Sequence, residues 1–186
     1  MTVNEIISTT KSSMDKSVDY TKKQLDKVRT GRASASLVDS VQVDYYGSQT
    51  PLSQVASISV PDAKTIVIQP WDRSTISIIE KAIQTADLGF NPMNDGNIIR
   101  IPVPPLTEER RLEFVKVSKK LAEDGKIAIR NIRRDNMDAL KNAEKNKDIS
   151  EDEKKKGEDE VQNITDQMIK KIDELQGNKE KELMED

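Results

Sequence analysis

Three long segments of this chain, near residues 3–29, 107–145 and 151–184, carry apolar residues at helical spacing, and a stretch of different character separates the first from the other two. A lone amphipathic helix of that length cannot bury its stripe without partners. The first segment therefore needs the C-terminal pair, which lies far away in sequence. The arrangement that satisfies all three is a helix bundle interrupted by an inserted domain. The expected fold class is α+β: an elongated three-helix bundle from residues 1–30 and 105–186, with a small α/β domain from residues 31–104 inserted into it.

In the first segment Ile7, Met14, Val18, Thr21, Leu25 and Val28 form a heptad-like stripe, and Gly31 in "TGR" reads as the breaker that ends the helix. In the insert, "VQVDYYG", "VASISVPD" and "KTIVIQP" have the β-branched and aromatic character of strands, with Gly47, Pro51, Pro61 and Pro70 as turns. A short helix follows, capped by Asp72 or Ser74, with Ile76, Ile79 and Ile83 on its apolar face and Gly89 beyond its end; "NIIRIPV" is a returning strand. "DLGFNPMNDGN" reads as a loop and Trp71 as core or turn packing. Tyr45 and Tyr46, on opposite faces of a strand, require that at least one be exposed. Pro102, Pro104 and Pro105 forbid helix before "LTEERR", where Thr107 can cap the second long helix. Ser150 followed by Glu153 is a capping-box signature for the third, whose stripe is Val161, Ile164, Met168, Ile172, Leu175 and Leu183.

Charged residues make up 34% of the chain and apolar ones also 34%, below the about 45–50% apolar content usual for a globular domain. Such a chain is elongated, with much surface for its mass. Cysteine and histidine are both absent, which removes disulfides, thiol chemistry, the Ser–His and Cys–His nucleophile pairs and the commonest metal ligand. No paired acids converge for carboxylate-only hydrolysis, so the expectation is a protein that is not an enzyme and has no metal site and no cofactor. The start of the chain has no signal-peptide pattern and no segment reads as a membrane span, so a cytoplasmic location is expected.

Against a formal net charge of −3, "KIAIRNIRRD" places Lys126, Arg130, Arg133 and Arg134 close together with no acid between them. Projected on a helix, Phe114, Val117, Leu121, Ala128, Ile132, Ala139 and Ala143 take one side; Lys116, Lys119, Lys126, Arg130, Arg133 and Arg134 gather opposite, with Glu123 the one acid among them. The bland reading is a solvated face, and a helical scaffold that binds other proteins is the alternative functional class. Arginine supplies three of the four charges although lysine outnumbers it in the chain, and its planar fork suits phosphate. Arg29 and Arg32 flank Gly31, and Arg110 and Arg111 open the second long helix. Aromatic residues are too scarce for a base-stacking platform. Phosphate contacts to structured RNA are the chemistry this pattern fits.

At "KVRTGRAS", "YYGSQTPL", "VPPLTEERR" and "RNIRRD", and through the C-terminal "ISEDEKKKGEDEVQNITDQMIKKIDE", the chain resembles the bacterial ribosome recycling factor family nearly end to end. The resemblance implies an L-shaped, hinged two-domain protein, a monomer that binds the ribosome after termination. With elongation factor G and GTP it would help separate the subunits. It implies that the bundle seats on large-subunit ribosomal RNA through Arg130, Arg133 and Arg134, with Arg29 and Arg32; Lys126, from the charge cluster, is expected to join them. The hinge would lie at Thr30, Gly31 and Arg32 on one crossing and Pro102, Pro104 and Pro105 on the other.

Overall fold

The computed structural model describes residues 2–185, so the expected domain limits at 1 and 186 lie outside the described residues. The chain divides into two units, residues 2–29 with 108–185 and residues 30–107. The divisions fall one residue before and three residues after the places read from sequence. Thr30 and the segment 105–107 belong with the insert.

The first unit holds three helices: α1 (Val3–Asp26), α3 (Glu108–Lys145) and α4 (Glu151–Met184). Reciprocal hydrogen bonds between Thr2 and Glu5, and between Ser150 and Glu153, cap α1 and α4. They satisfy backbone N–H groups that the first turn of a helix leaves without partners. Both carboxyls are held below the ordinary glutamate range, chiefly by the backbone N–H of the capping residue. At 1.5 Å per residue, α3 and α4 are roughly 50–60 Å long. No helix among the described residues is long and apolar enough to cross a membrane.

Gly31 does not end α1. The helix stops at Asp26 with Lys27 as its C-cap, and Gly31 lies outside the left-handed region. Val28 turns back to pack with Val115 and Leu183, which draws the chain off the helix axis before Gly31 is reached. A Cβ on Gly31 would stand 3.5 Å from the backbone nitrogen of Leu106, so the outgoing and returning segments lie side by side there. Both are tied to the same turn of the insert: Ala33 N–H donates to the Ala63 carbonyl and Val103 N–H to that of Lys64, each at 2.7 Å.

The bundle buries three clusters along its length, around Val28, Val115 and Leu183, around Met14, Ile129, Met168 and Ile172, and around Ile6, Leu140 and Val161. On α1 the fully buried position is Ile6 rather than Ile7, followed by Thr10. On α3 the expected apolar face is off by one position from Phe114 to Ile129, while Ala143 further along is buried as expected. Val115, Ser118, Ala122, Gly125 and Ile129 are buried, whereas Phe114, Leu121 and Ala128 are half-buried and Val117 is exposed. The reason is steric. A Cβ on Gly125 would overlap the Thr21 side chain, and one on Gly157 would stand 2.9 Å from a Leu140 methyl. The helices approach so closely that the seam takes small residues, not the most hydrophobic ones. The hydroxyls of Thr10, Thr21, Ser118 and Thr165 donate to carbonyls of their own helix, which removes the cost of burying them.

In the second unit a short 3-10 helix (Ala35–Val38) precedes a hairpin of β1 (Gln42–Tyr45) and β2 (Ser48–Pro51). Tyr46 and Gly47 both take positive φ, +50° and +84°, as a two-residue hairpin turn requires. Tyr46 is thus a turn residue and exposed, while Tyr45 is half-buried. A four-stranded antiparallel sheet follows in the order β3 (Ala56–Asp62), β4 (Thr65–Pro70), β6 (Ile99–Pro102), β5 (Met93–Asn94). Pro61 is not a turn: it lies in edge strand β3, between Ser59 and Asp62 where the register shifts, a position that needs no ladder N–H. The segment read as a loop contains β5 and the buried Phe90. Helix α2 (Ile76–Thr85) buries Ile76, Ile79 and Ile83 against Ile66, Ile68 and Ile101 in one core. Trp71 is not part of it; the side chain is 68% exposed.

Candidate nucleic-acid interface

The one-position rotation of α3 changes where its cations lie. Lys126 and Arg133 are half-buried and flank the seam on the side facing α4; Arg130 and Arg134 are exposed. They do not stand opposite the apolar face as a uniform row.

Their partners divide them further. Lys126 Nζ lies 3.1 Å from Asp173 Oδ1 on α4 and 3.2 Å from Glu123 Oε2. Arg130 lies 2.9 Å from the other oxygen of Glu123. The hydrogen bonds from Arg130 first and Lys126 second hold the Glu123 carboxyl below its ordinary range; Asp173 first and Glu123 second push the Lys126 ammonium up. Two cations and two carboxylates thus meet in one cluster, and their formal charges sum to zero. Acids do neutralise part of the run, one from a turn earlier and one from another helix.

Arg133 and Arg134 are held differently. Arg133 donates from Nε to the Gln162 side-chain oxygen at 2.6 Å, and Arg134 donates to the Asn131 side-chain oxygen at 3.2 Å. Neither forms an ion pair among the described residues, so no carboxylate is bonded to these two guanidiniums. They line one groove of about 470 Å³ between α3 and α4, together with Gln162, Lys141 and the acids Asp138, Glu158 and Asp159. The lining thus holds three cations and three acids, and the groove as a whole carries no formal excess of positive charge.

The other arginines are not brought to this place. Arg29 follows Val28, which packs against Val115, and Arg133 lies 18 residues on from Val115 along α3, about 27 Å. Arg32 belongs to the second unit and is exposed. Arg111 donates to the Met184 carbonyl at 3.3 Å. Of the crossing residues, Pro102 closes β6 and pairs with Thr65, while Pro104 and Pro105 lie beyond the sheet and are exposed. Glu123 is visible in the sequence at helical spacing from Lys126 and Arg130. Asp173 and Gln162 are not, because only the pairing of α3 with α4 places them there.

The family model for ribosome recycling factor matches residues 21–184. The chain is 52% identical over 185 residues to a ribosome-recycling factor of Nitratidesulfovibrio vulgaris (strain DP4), covering 100% of both chains. It is 56% identical over 183 residues to that of Geobacillus sp. (strain WCH70), covering 98% of this chain and 99% of the other. A solution structure of the ribosome recycling factor matches with a TM-score of 0.73 at 42% identity, over 98% of this chain and 97% of that one. A second structure matches over 100% of both chains, with a TM-score of 0.64 and 45% identity. It is described as models for the T. thermophilus ribosome recycling factor and the E. coli elongation factor G bound to the E. coli post-termination complex.

Proposed function

The chain belongs to the ribosome recycling factor family, and from that premise we propose that it binds the post-termination ribosome through large-subunit ribosomal RNA. With elongation factor G and GTP it promotes separation of the subunits and release of mRNA and tRNA. It acts by binding and displacement rather than catalysis, as a monomer in the cytoplasm. The observation that carries the RNA contact is the pair Arg133 and Arg134, which form no ion pair among the described residues and sit on a long helix.

The cationic contact neutralises phosphates and fixes the bundle on the RNA, a gain that falls with salt. Arg133 and Arg134 carry the contact, Lys126 and Arg130 supply it less because they are already paired, and Arg29 of the bundle and Arg32 of the insert each add a contact of their own. A long bundle packed in three clusters bends little, so displacement applied at one end is transmitted to the other. The inserted domain turns about Thr30, Gly31 and Arg32 on one crossing and Pro104 and Pro105 on the other, with Pro102 anchored in the sheet as the fixed edge of the hinge. The side-by-side course of the two segments at Gly31 and Leu106 supports this pivot, since two adjacent strands of chain restrict the direction of bending.

Co-sedimentation of the wild type and Arg133→Ala with large ribosomal subunits across a salt series tests the reading. Arg133→Ala binds more weakly, and its slope of log K against log salt is shallower by roughly 0.7–0.9 for each phosphate that the variant no longer neutralises. Circular dichroism in parallel reports the helices. Unchanged binding by a folded Arg133→Ala protein overturns the proposal, and salt-independent binding returns the protein-binding scaffold.

A further inference from the structure

The Arg133 guanidinium donates its Nε–H across the bundle to a neutral acceptor on a different helix, and that acceptor is itself held in one orientation. Gln162 Nε2 donates to Asp166 Oδ1 at 2.8 Å, one turn along α4. An ionised carboxylate can only accept, so Asp166 faces the amide nitrogen of Gln162 and turns its oxygen to Arg133. Among the described residues the guanidinium is thereby held through its Nε–H, and the four N–H bonds of its two terminal nitrogens are not part of the clamp. Arg130 shows the alternative on the same helix: one terminal nitrogen is bound to a carboxylate, which takes up part of the fork and offsets its charge.

We propose that Gln162 is a positioning residue for the ribosomal RNA contact: as a neutral clamp it orients the Arg133 fork towards phosphate without neutralising it. The inference rests on the reading of Arg133 as a phosphate contact and adds what that reading does not contain. The chemistry at position 162 must be an uncharged acceptor, supplied by α4 rather than by the arginine helix. A bidentate guanidinium–phosphate contact depends on the plane of the fork, so removing the clamp weakens binding even though no group touching the RNA has changed.

Two substitutions separate this role from a plain tie between helices. Gln162→Met keeps length and packing and removes the acceptor. Gln162→Glu keeps the acceptor and converts the bond into an ion pair. A helix tie predicts that the glutamate variant holds α3 to α4 as well as the wild type does and binds equally well. Positioning by a neutral clamp predicts the reverse order. With large ribosomal subunits as the probe, Gln162→Met binds roughly five-fold more weakly. Gln162→Glu binds roughly ten-fold or more weakly, with a salt slope flattened towards that of Arg133→Ala.

Both effects vanish in an Arg133→Ala background, because the clamp has nothing left to orient. Thermal melts of each variant accompany the binding series. Wild-type affinity in the glutamate variant, or effects that persist without Arg133, overturn the inference while the RNA reading stands. Wild-type affinity in Arg133→Ala itself overturns the RNA reading and takes the clamp with it.

Discussion

The core of the α/β unit is built almost wholly from valine and isoleucine, gathered into one cluster between helix and sheets. The bundle instead runs its seam through Thr10, Thr21, Ser118, Ala122 and Gly125, with larger apolar residues collected in three separate clusters. A sheet presents a wide surface that branched side chains cover. Three long helices must fit along their whole length, and where they approach closely a small residue is worth more than a hydrophobic one. The difference teaches that one rule, apolar means buried, reads the first region correctly and misreads the second by a whole position on α3.

The strongest way to test the contrast is a cavity in the α/β core. Ile79→Ala removes a fully buried side chain from a single cluster, and its expected cost is about 3–4 kcal/mol in denaturant unfolding. A cost below about 1 kcal/mol would mean that this core relaxes far more than its packing implies.

Crowding in the bundle comes next. Gly125→Ala raises helix propensity, yet it destabilises by about 1–2 kcal/mol because the new methyl meets Thr21 from three atoms at once. Trimming the partner in the double variant Gly125→Ala with Thr21→Ala recovers most of that stability. Stabilisation by the single change would break the close-approach account.

The smallest effect has the opposite sign. Gly177 lies in α4 with nothing near a built Cβ, so Gly177→Ala raises stability by about 1 kcal/mol. Thermal melts of the two alanine variants side by side sharpen the comparison, since the same substitution in the same bundle changes sign with the space around it.

Much of the fold is legible in the sequence because it is encoded locally. Thr or Ser followed three residues later by Glu caps a helix wherever it occurs, and Ser150 with Glu153 does so here. The alternation of Ile66 and Ile68 marks a half-buried strand, and Gly47 marks a tight hairpin. Gly31 misleads because a glycine near a helix end suggests a left-handed cap, whereas Val28 has already turned the chain inward. Trp71 misleads because bulk suggests burial.

The candidate site divides in the same way. Sequence alone determined that a run of cations occupies one stretch of a long helix, that arginine is favoured there, and that the chain has no cysteine or histidine to form a Ser–His or Cys–His nucleophile pair. It also carried the motifs that identify the family. Only the tertiary structure decided what α4 contributes to the cluster. Glu123 and Asp173 neutralise Lys126 and Arg130, while Gln162 and Asn131 hold Arg133 and Arg134 without neutralising them. The physical reason is that charge in a cluster is settled across helices. Asp173 and Gln162 come from α4, and no spacing along α3 could have named them.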